Sequence, residues 1–118
     1  MQRGENMKIT VTYDNGLVSQ HFGQTSAFQV FTIENGSVTD EKIISTNGKG
    51  HRELIPVVRS LGVDVMICGG LGTPMADAIS QMGIQLCAGV SGDCRKAVQD
   101  YLNGTLSMRP DAVHECHH

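Results

Sequence analysis

The side chains of this chain best suited to chemistry are a few histidines and cysteines. His21 lies beside Phe22 in a polar stretch, where a histidine can bind a metal, donate a hydrogen bond to an anion or simply be inert. Cys68, Cys87 and Cys94 are possible soft metal ligands or nucleophiles. They form no CxxC pair, so their spacing by itself indicates neither a zinc nor an iron–sulfur site.

Each cysteine also has a plainer interpretation. Cys68 and Cys87 end apolar runs, where cysteine commonly packs as a small hydrophobic residue. Cys94 lies in the first turn of a predicted helix, where the helix dipole lowers a thiol pKa while the neighbouring carboxylate of Asp93 raises it. A thiol enzyme built on Cys94 is therefore an alternative, but no histidine lies at an obvious partnering position in the sequence.

Glycine-rich segments are the second feature of the sequence that could bind a ligand. Gly69, Gly70 and Gly72 lead into Thr73 and a proline, which is typical of a strand followed by a helix N-terminus. A dinucleotide fingerprint would need a further glycine where Met75 stands, so a nucleotide cofactor is not expected. The free N–H groups of such a helix start suit an anion, although the same glycines could serve a tight turn alone.

The C-terminal residues form a third feature. Their ligand set suits a divalent transition metal, and consists of His114, Cys116, His117 and His118. A remnant of a purification tag is the rival interpretation. We expect a flexible tail over residues 107–118 that binds metal independently of the folded domain. Its affinity should fall below about pH 6.5, because imidazole and thiolate must lose protons to bind.

Five strands are predicted to position these residues, from apolar and β-branched runs at residues 7–13, 27–33, 37–45, 63–68 and 84–88. Asn35 and Gly36 between the second and third runs predict an antiparallel hairpin, because both central positions of such a turn need positive φ.

Three helices complete the predicted order βββαβαβα. The first ends at Gly62 and contains Pro56, which requires the helix to start near Glu53 or to kink. The second opens at Thr73 and closes before Gly83. The third starts within residues 91–93 and ends at Gly104.

Parallel strands joined by right-handed crossovers end at one edge of the sheet, and open α/β sheets bind ligands there. The candidate binding residues all follow the first, fourth and fifth predicted strands. They are Asn15, Ser19, His21 and Phe22, then Cys68, Gly69, Gly70 and Gly72, and finally Gly89, Gly92 and Cys94. We predict that His21, residues 69–72 and residues 89–94 line one cleft.

Length and composition exclude several classes of protein. The 118 residues suffice for one domain, and a hydrophobic content of 40% supports a packed core. A net charge of −3 with scattered basic residues argues against nucleic-acid binding. No apolar run approaches the roughly 20 residues of a membrane span, and the first ten residues lack a signal-peptide core. A cytoplasmic protein without membrane association is the expectation.

These features together resemble the iron-molybdenum cofactor biosynthesis family, which includes small nitrogenase accessory proteins. The resemblance covers residues 7–106. It is carried by the order and spacing of short segments: Tyr13-Asp14-Asn15-Gly16, Ser19-Gln20-His21-Phe22-Gly23 with Phe28, Gly62-Val63-Asp64, Gly69-Gly70-Leu71-Gly72, Gly83-Ile84, Gly89, Gly92-Asp93, and Ala97, Tyr101, Gly104 and Leu106.

The resemblance implies a ribonuclease H-like α/β fold with a mixed five-stranded sheet and helices on both faces. It implies a non-enzymatic protein that binds or carries an iron-molybdenum-sulfur cluster, an iron–sulfur precursor or a related cluster, and exchanges it with donor and acceptor proteins. Residues 1–6 would be an extension before the domain. The alternative function is a regulatory or interaction module that binds an anionic metabolite or a protein partner in the same cleft.

Overall fold

The computed structural model describes residues 6–21, 25–46, 51–106, 108 and 113–114. Its strands are β1 (Asn6–Asp14), β2 (Leu17–Val18), β3 (Ala27–Glu34), β4 (Ser37–Ser45), β5 (Val65–Ile67), β6 (Leu71–Gly72), β7 (Gln85–Cys87) and β8 (Val113–His114). Its helices are α1 (His51–Leu61), α2 (Thr73–Gln81) and α3 (Cys94–Asn103).

Two Asn-Gly pairs make the tight turns of the N-terminal half. Asn35 and Gly36 have φ values of 54° and 80° between β3 and β4, which confirms the predicted hairpin. Asn15 and Gly16 have φ values of 52° and 90° and make an equivalent turn between β1 and β2. The second turn folds β2 back onto β1, a pairing that the sequence analysis did not predict.

The helix boundaries follow local capping chemistry. Asp93 is the N-cap of α3, where its Oδ2 accepts a hydrogen bond from the backbone N–H of Lys96 at 2.9 Å. Gly104 ends that helix with a φ of 76°, as predicted. In α1 the helix already starts at His51, so Pro56 lies in its second turn rather than in its first.

The main sheet has the strand order β4-β3-β1-β5-β7. β3 runs antiparallel to β1 and β4, whereas β1, β5 and β7 are parallel, which confirms the predicted strand directions. The expected count of five strands is wrong, because β2 pairs with β1 as a sixth strand. The structure shows a mixed α/β fold, and the ribonuclease H-like arrangement stays a prediction.

Helices cover both faces of the sheet, as expected. On one face α1 and α2 pack against the sheet in a cluster that includes Leu54, Met66 and Ile79. On the other face α3 packs through Val98 in a cluster with Ile9. Fully burying such aliphatic side chains stabilises the fold by about 1.5–3 kcal/mol each. Within the described residues, no helix is long and apolar enough to cross a membrane.

The structure differs from the sequence analysis at both ends of the domain. Asn6, expected in the N-terminal extension, is the first residue of β1 and is aligned with Glu34 of β3. Val113 and His114, expected in a flexible tail, form β8 and pair in parallel with β6. Phe22, Cys116, His117 and His118 lie outside the described residues.

Candidate functional site

Three loops meet at the carboxyl edge of the parallel strands. We call them L1 (residues 19–21, after β2), L2 (residues 68–70, after β5) and L3 (residues 88–93, after β7). L1 and L2 lie side by side, since the N–H of Gly69 donates to the carbonyl of Ser19 at 3.2 Å and that of Gly70 to Gln20 at 2.9 Å. His21 is aligned with Gly70 in a parallel bridge. His21 therefore lies on the same side of the sheet as L2, as predicted.

L3 is joined to L2 in the same way. The N–H of Gly89 donates to the carbonyl of Gly69 at 2.8 Å, and that of Val90 donates to Cys68 at 3.0 Å. The side-chain amide of Gln20 spans the group by donating to the carbonyl of Val90 at 3.1 Å. The three loops thus form one hydrogen-bonded platform under His21.

L3 is also held to the β1–β2 hairpin. The N–H of Val18 donates to the carbonyl of Gly92 at 2.8 Å, and the N–H of Cys94 donates to Gly16 at 3.0 Å. Asn15, which was predicted to bind a cofactor, lies in the turn of this hairpin. It is exposed, and its backbone adopts the positive φ that the turn requires. The hairpin fixes where α3 begins relative to the sheet.

Gly69 is a point of close approach between L1 and L2. A Cβ atom there would lie 2.6 Å from the Cα of Gln20 and 2.9 Å from the carbonyl oxygen of Ser19. Both contacts are with backbone atoms, which cannot rotate away. Glycine at this position is what lets L1 and L2 approach closely enough to hydrogen bond.

These hydrogen bonds revise the expected anion cradle. The N–H groups of the glycine-rich segment at residues 69–72 were expected to suit an anion, but those of Gly69 and Gly70 donate within the protein, as do those of Gly89 and Val90. Their role is to join the loops. Gly72 is the remaining candidate of the glycine-rich segment. It is the N-cap residue of α2 and, as a glycine, has no side chain that could accept a capping hydrogen bond.

The predicted cysteine ligands Cys68, in L2, and Cys94, directly after L3, are buried. Cys68 and Cys94 are 0% and 1% exposed. Burial raises the pKa of Cys68 to about 12, with a smaller contribution from Cys87. Burial and then the charge of Asp93 raise the pKa of Cys94 to about 12, so burial and the carboxylate outweigh the helix dipole that was expected to lower it. The structure places both thiols in the hydrophobic core, and their predicted roles in cluster binding stay predictions.

Some of the predicted site residues reach the surface of the platform, and others are buried in it. The His21 side chain is exposed. Ser19 is buried, and its hydroxyl donates to the carbonyl of His21 at 3.4 Å, which orients the end of L1. Among the described residues, no group of three or more histidine, cysteine or acidic side chains is placed to hold a metal ion. Among the predicted histidine and cysteine ligands whose side chains are described, the exposed one is His21.

A cavity of about 330 Å³ adjoins L3 on the side of α3. Its lining includes residues 89–93 together with Lys96, Asp100 and Leu106. The Nζ of Lys96 lies 3.3 Å from the Oδ2 of Asp100, so the cation in the cavity wall is already paired. The sequence analysis missed Lys96 and also Gln20. A polar residue between a strand end and His21 is the signal that could have indicated Gln20.

Comparisons with known proteins bear on this geometry. A family profile described as dinitrogenase iron-molybdenum cofactor matches residues 5–104. The uncharacterized protein MJ0580 of Methanocaldococcus jannaschii is 25% identical over 105 residues, which are 85% of this chain and 89% of that protein.

Solved structures share the fold. The crystal structure of PH0822 matches with a TM-score of 0.83 and 21% identity, over 89% of this chain and 96% of that one. The apo form of the orange protein from Desulfovibrio gigas matches with a TM-score of 0.73 and 23% identity, over 88% of this chain and 93% of that one. At these identities, the structural similarity establishes the fold.

Proposed function

Given that this chain belongs to the dinitrogenase iron-molybdenum cofactor family, we propose that it carries an iron-molybdenum-sulfur cluster, or a related metal–sulfur cluster or precursor, during cofactor assembly. The observation that supports this function best is the placement of exposed His21 on the platform of L1, L2 and L3. His21 is the protein ligand that this proposal assigns.

The chemistry of one imidazole suits a cargo that must be passed on. A neutral imidazole binds borderline transition metals well, but one such bond can be exchanged for a ligand from another protein. The hydrogen bonds that join L1, L2 and L3 limit the entropy that ordering the loops would cost on binding. Donor and acceptor proteins would meet the cargo at the exposed carboxyl edge of the sheet.

A carrier fits the buried thiols better than a thiol enzyme does. A cysteine nucleophile acts as the thiolate. Burial holds the pKa of Cys94 near 12, so the thiol is protonated at neutral pH. We therefore assign the three described cysteines to packing, and the binding chemistry to His21.

The test is anaerobic reconstitution of the full chain with ferrous iron, sulfide and tetrathiomolybdate, followed by desalting, metal analysis and absorption spectroscopy. We expect the wild-type chain to retain iron, molybdenum and sulfide together. His21→Ala should lose most of this cargo while its thermal unfolding is unchanged, since the side chain is exposed. Asn103→Ala, exposed at the far end of α3, is the matched control and should retain it.

Equal retention by His21→Ala and the wild-type chain would overturn the assignment of His21. Failure of every variant to retain metal would overturn the carrier function. That result would favour the alternative function, a regulatory or interaction module. Measuring the binding of anionic metabolites to the metal-free chain would then test this alternative.

A further inference from the structure

Gln20, the residue before His21, is bonded to three other parts of the platform and its hairpin. Its backbone carbonyl accepts a hydrogen bond from the N–H of Gly70 in L2 at 2.9 Å. Its Nε2 donates to the carbonyl of Val18 in β2 at 2.9 Å and to that of Val90 in L3 at 3.1 Å. An amide nitrogen carries two protons, so these two bonds use the full donor capacity of the side chain.

The path of the Gln20 side chain depends on the glycine at position 69. A Cβ atom on Gly69 would lie 3.0 Å from the Cδ of Gln20. A side chain at position 69 would therefore meet the Gln20 amide where it crosses L2 on its way to L3. The same glycine that lets L1 and L2 approach also leaves room for the amide bridge.

The bonds of Gln20 bear directly on the position of His21. The two residues share one peptide group, which is planar, so holding the Gln20 carbonyl oxygen fixes the direction in which the chain enters His21. Among the described residues, no side chain hydrogen bonds to the imidazole of His21. Within that part of the chain, the backbone of L1 is therefore what sets where the ring begins.

We propose that Gln20 is a positioning residue for His21, whose amide holds L1 against L3 so that the imidazole is already in place when the cargo arrives. This inference rests on the proposed carrier function. Gln20 makes no bond to the cargo in this role and acts through His21. Loss of the amide should therefore weaken cargo binding only while the imidazole is attached to L1.

The experiment uses the cargo reconstituted from ferrous iron, sulfide and tetrathiomolybdate, and measures its equilibrium binding to the full chain and to Gln20→Met. Methionine is an unbranched side chain that can keep the contact over Gly69 but cannot donate to the two carbonyls. We expect an affinity loss of about tenfold, the lower end of the range for losing a group that supports a metal ligand.

Free imidazole separates positioning from general support of the platform. In His21→Ala, added imidazole replaces the missing ligand without being attached to L1. Adding Gln20→Met to that chain should then change the affinity by less than about twofold, the scatter expected of independent sites. Tyr101→Phe is the matched control, since it removes one side-chain hydrogen bond of 2.8 Å, to Gln85 at the amino end of β7, and should keep wild-type affinity.

Pulsed EPR of the reduced, cargo-saturated protein gives a second measurement, the hyperfine coupling of the imidazole nitrogen to the cluster. We expect one coupling in the wild-type chain and in Tyr101→Phe, and a weaker or broader one in Gln20→Met. Wild-type affinity and coupling in Gln20→Met would overturn the positioning role, and so would equal affinity losses with attached and free imidazole. In both cases the carrier function would stand. A wild-type chain without imidazole coupling, or His21→Ala with full affinity, would instead overturn the assignment of His21.

Discussion

The side-chain amide of Gln20 donates to the backbone carbonyl of Val90, 3.1 Å away and 70 residues further along the chain. The same Nε2 donates to the carbonyl of Val18 at 2.9 Å. One amide nitrogen therefore joins the loop that carries His21 to the loop that precedes α3. Gln20 therefore helps to fix the relative positions of these two loops.

The first prediction concerns this bridge. Gln20→Glu replaces an amide donor with a carboxylate that faces two carbonyl oxygens, whereas Gln20→Ala only removes the donor. At pH 7 we expect Gln20→Ala to lower the free energy of unfolding by about 1–2 kcal/mol, and Gln20→Glu to lower it further. Below about pH 4.3 the glutamic acid can donate again, so the difference between the variants should shrink. Urea unfolding at both pH values checks this, and a difference independent of pH would contradict it.

The second prediction concerns the close approach of L1 and L2 at Gly69. Gly69→Ala places a methyl group against backbone atoms of Gln20 and Ser19, and overpacking of this kind costs about 1–3 kcal/mol. We expect reduced stability together with weaker cargo binding, because L1 and its His21 must move.

Gly62→Ala is the matched control for that variant. Gly62 has a φ of 64° with no atom within 4 Å of an added Cβ, so alanine there suffers backbone strain without a clash. Strain in this region costs about 1–2 kcal/mol. Gly62→Ala should therefore lower stability by a similar amount yet keep cargo binding. Equal binding losses in the two variants would show that stability alone controls the site.

The third prediction concerns alkaline pH. The pKa of Cys94 is raised from 9.0 to about 12 in the folded chain, mainly by burial. Above pH 9 the unfolded chain releases this proton while the folded chain keeps it, so stability is full below pH 9 and falls towards pH 12. Each such thiol contributes a slope of up to about 1.4 kcal/mol per pH unit. Unfolding of Cys94→Ala measured between pH 8 and pH 11 should show a shallower decline than the wild-type chain, and identical slopes would refute it.

The fourth prediction concerns the start of α3. Asp93 caps this helix and also raises the pKa of the Cys94 thiol. Asp93→Asn keeps a good cap but removes the charge, so we expect little change in stability near pH 7 and a shallower loss of stability above pH 9, because the folded-state pKa of Cys94 is raised less. Asp93→Ala removes both, and should lower the free energy of unfolding by about 1 kcal/mol. Urea unfolding between pH 8 and pH 11 checks this, and the same decline of stability in the wild-type and Asp93→Asn chains would contradict it.

The sequence by itself determined the three helices and the directions of the five long strands, because local chemistry specifies them. Asn35 and Gly36 accept the positive φ values of a hairpin, and Gly104 accepts that of a helix end. The near-continuous apolar run at residues 63–68 is typical of a strand buried on both faces of the sheet, which predicts a parallel strand covered by helices. From these the sequence also predicted that His21 and the two glycine-rich segments meet at one edge.

Only the tertiary structure decided what each of those residues does there. A glycine in the sequence cannot show whether its N–H faces a ligand or a neighbouring loop, and at Gly69 and Gly89 the partner is another loop. The pKa of a cysteine depends on how much water reaches it, which packing of α3 and the sheet decides for Cys94. The pairing of β8 with β6 joins residues more than forty positions apart, and no local pattern specifies such a contact.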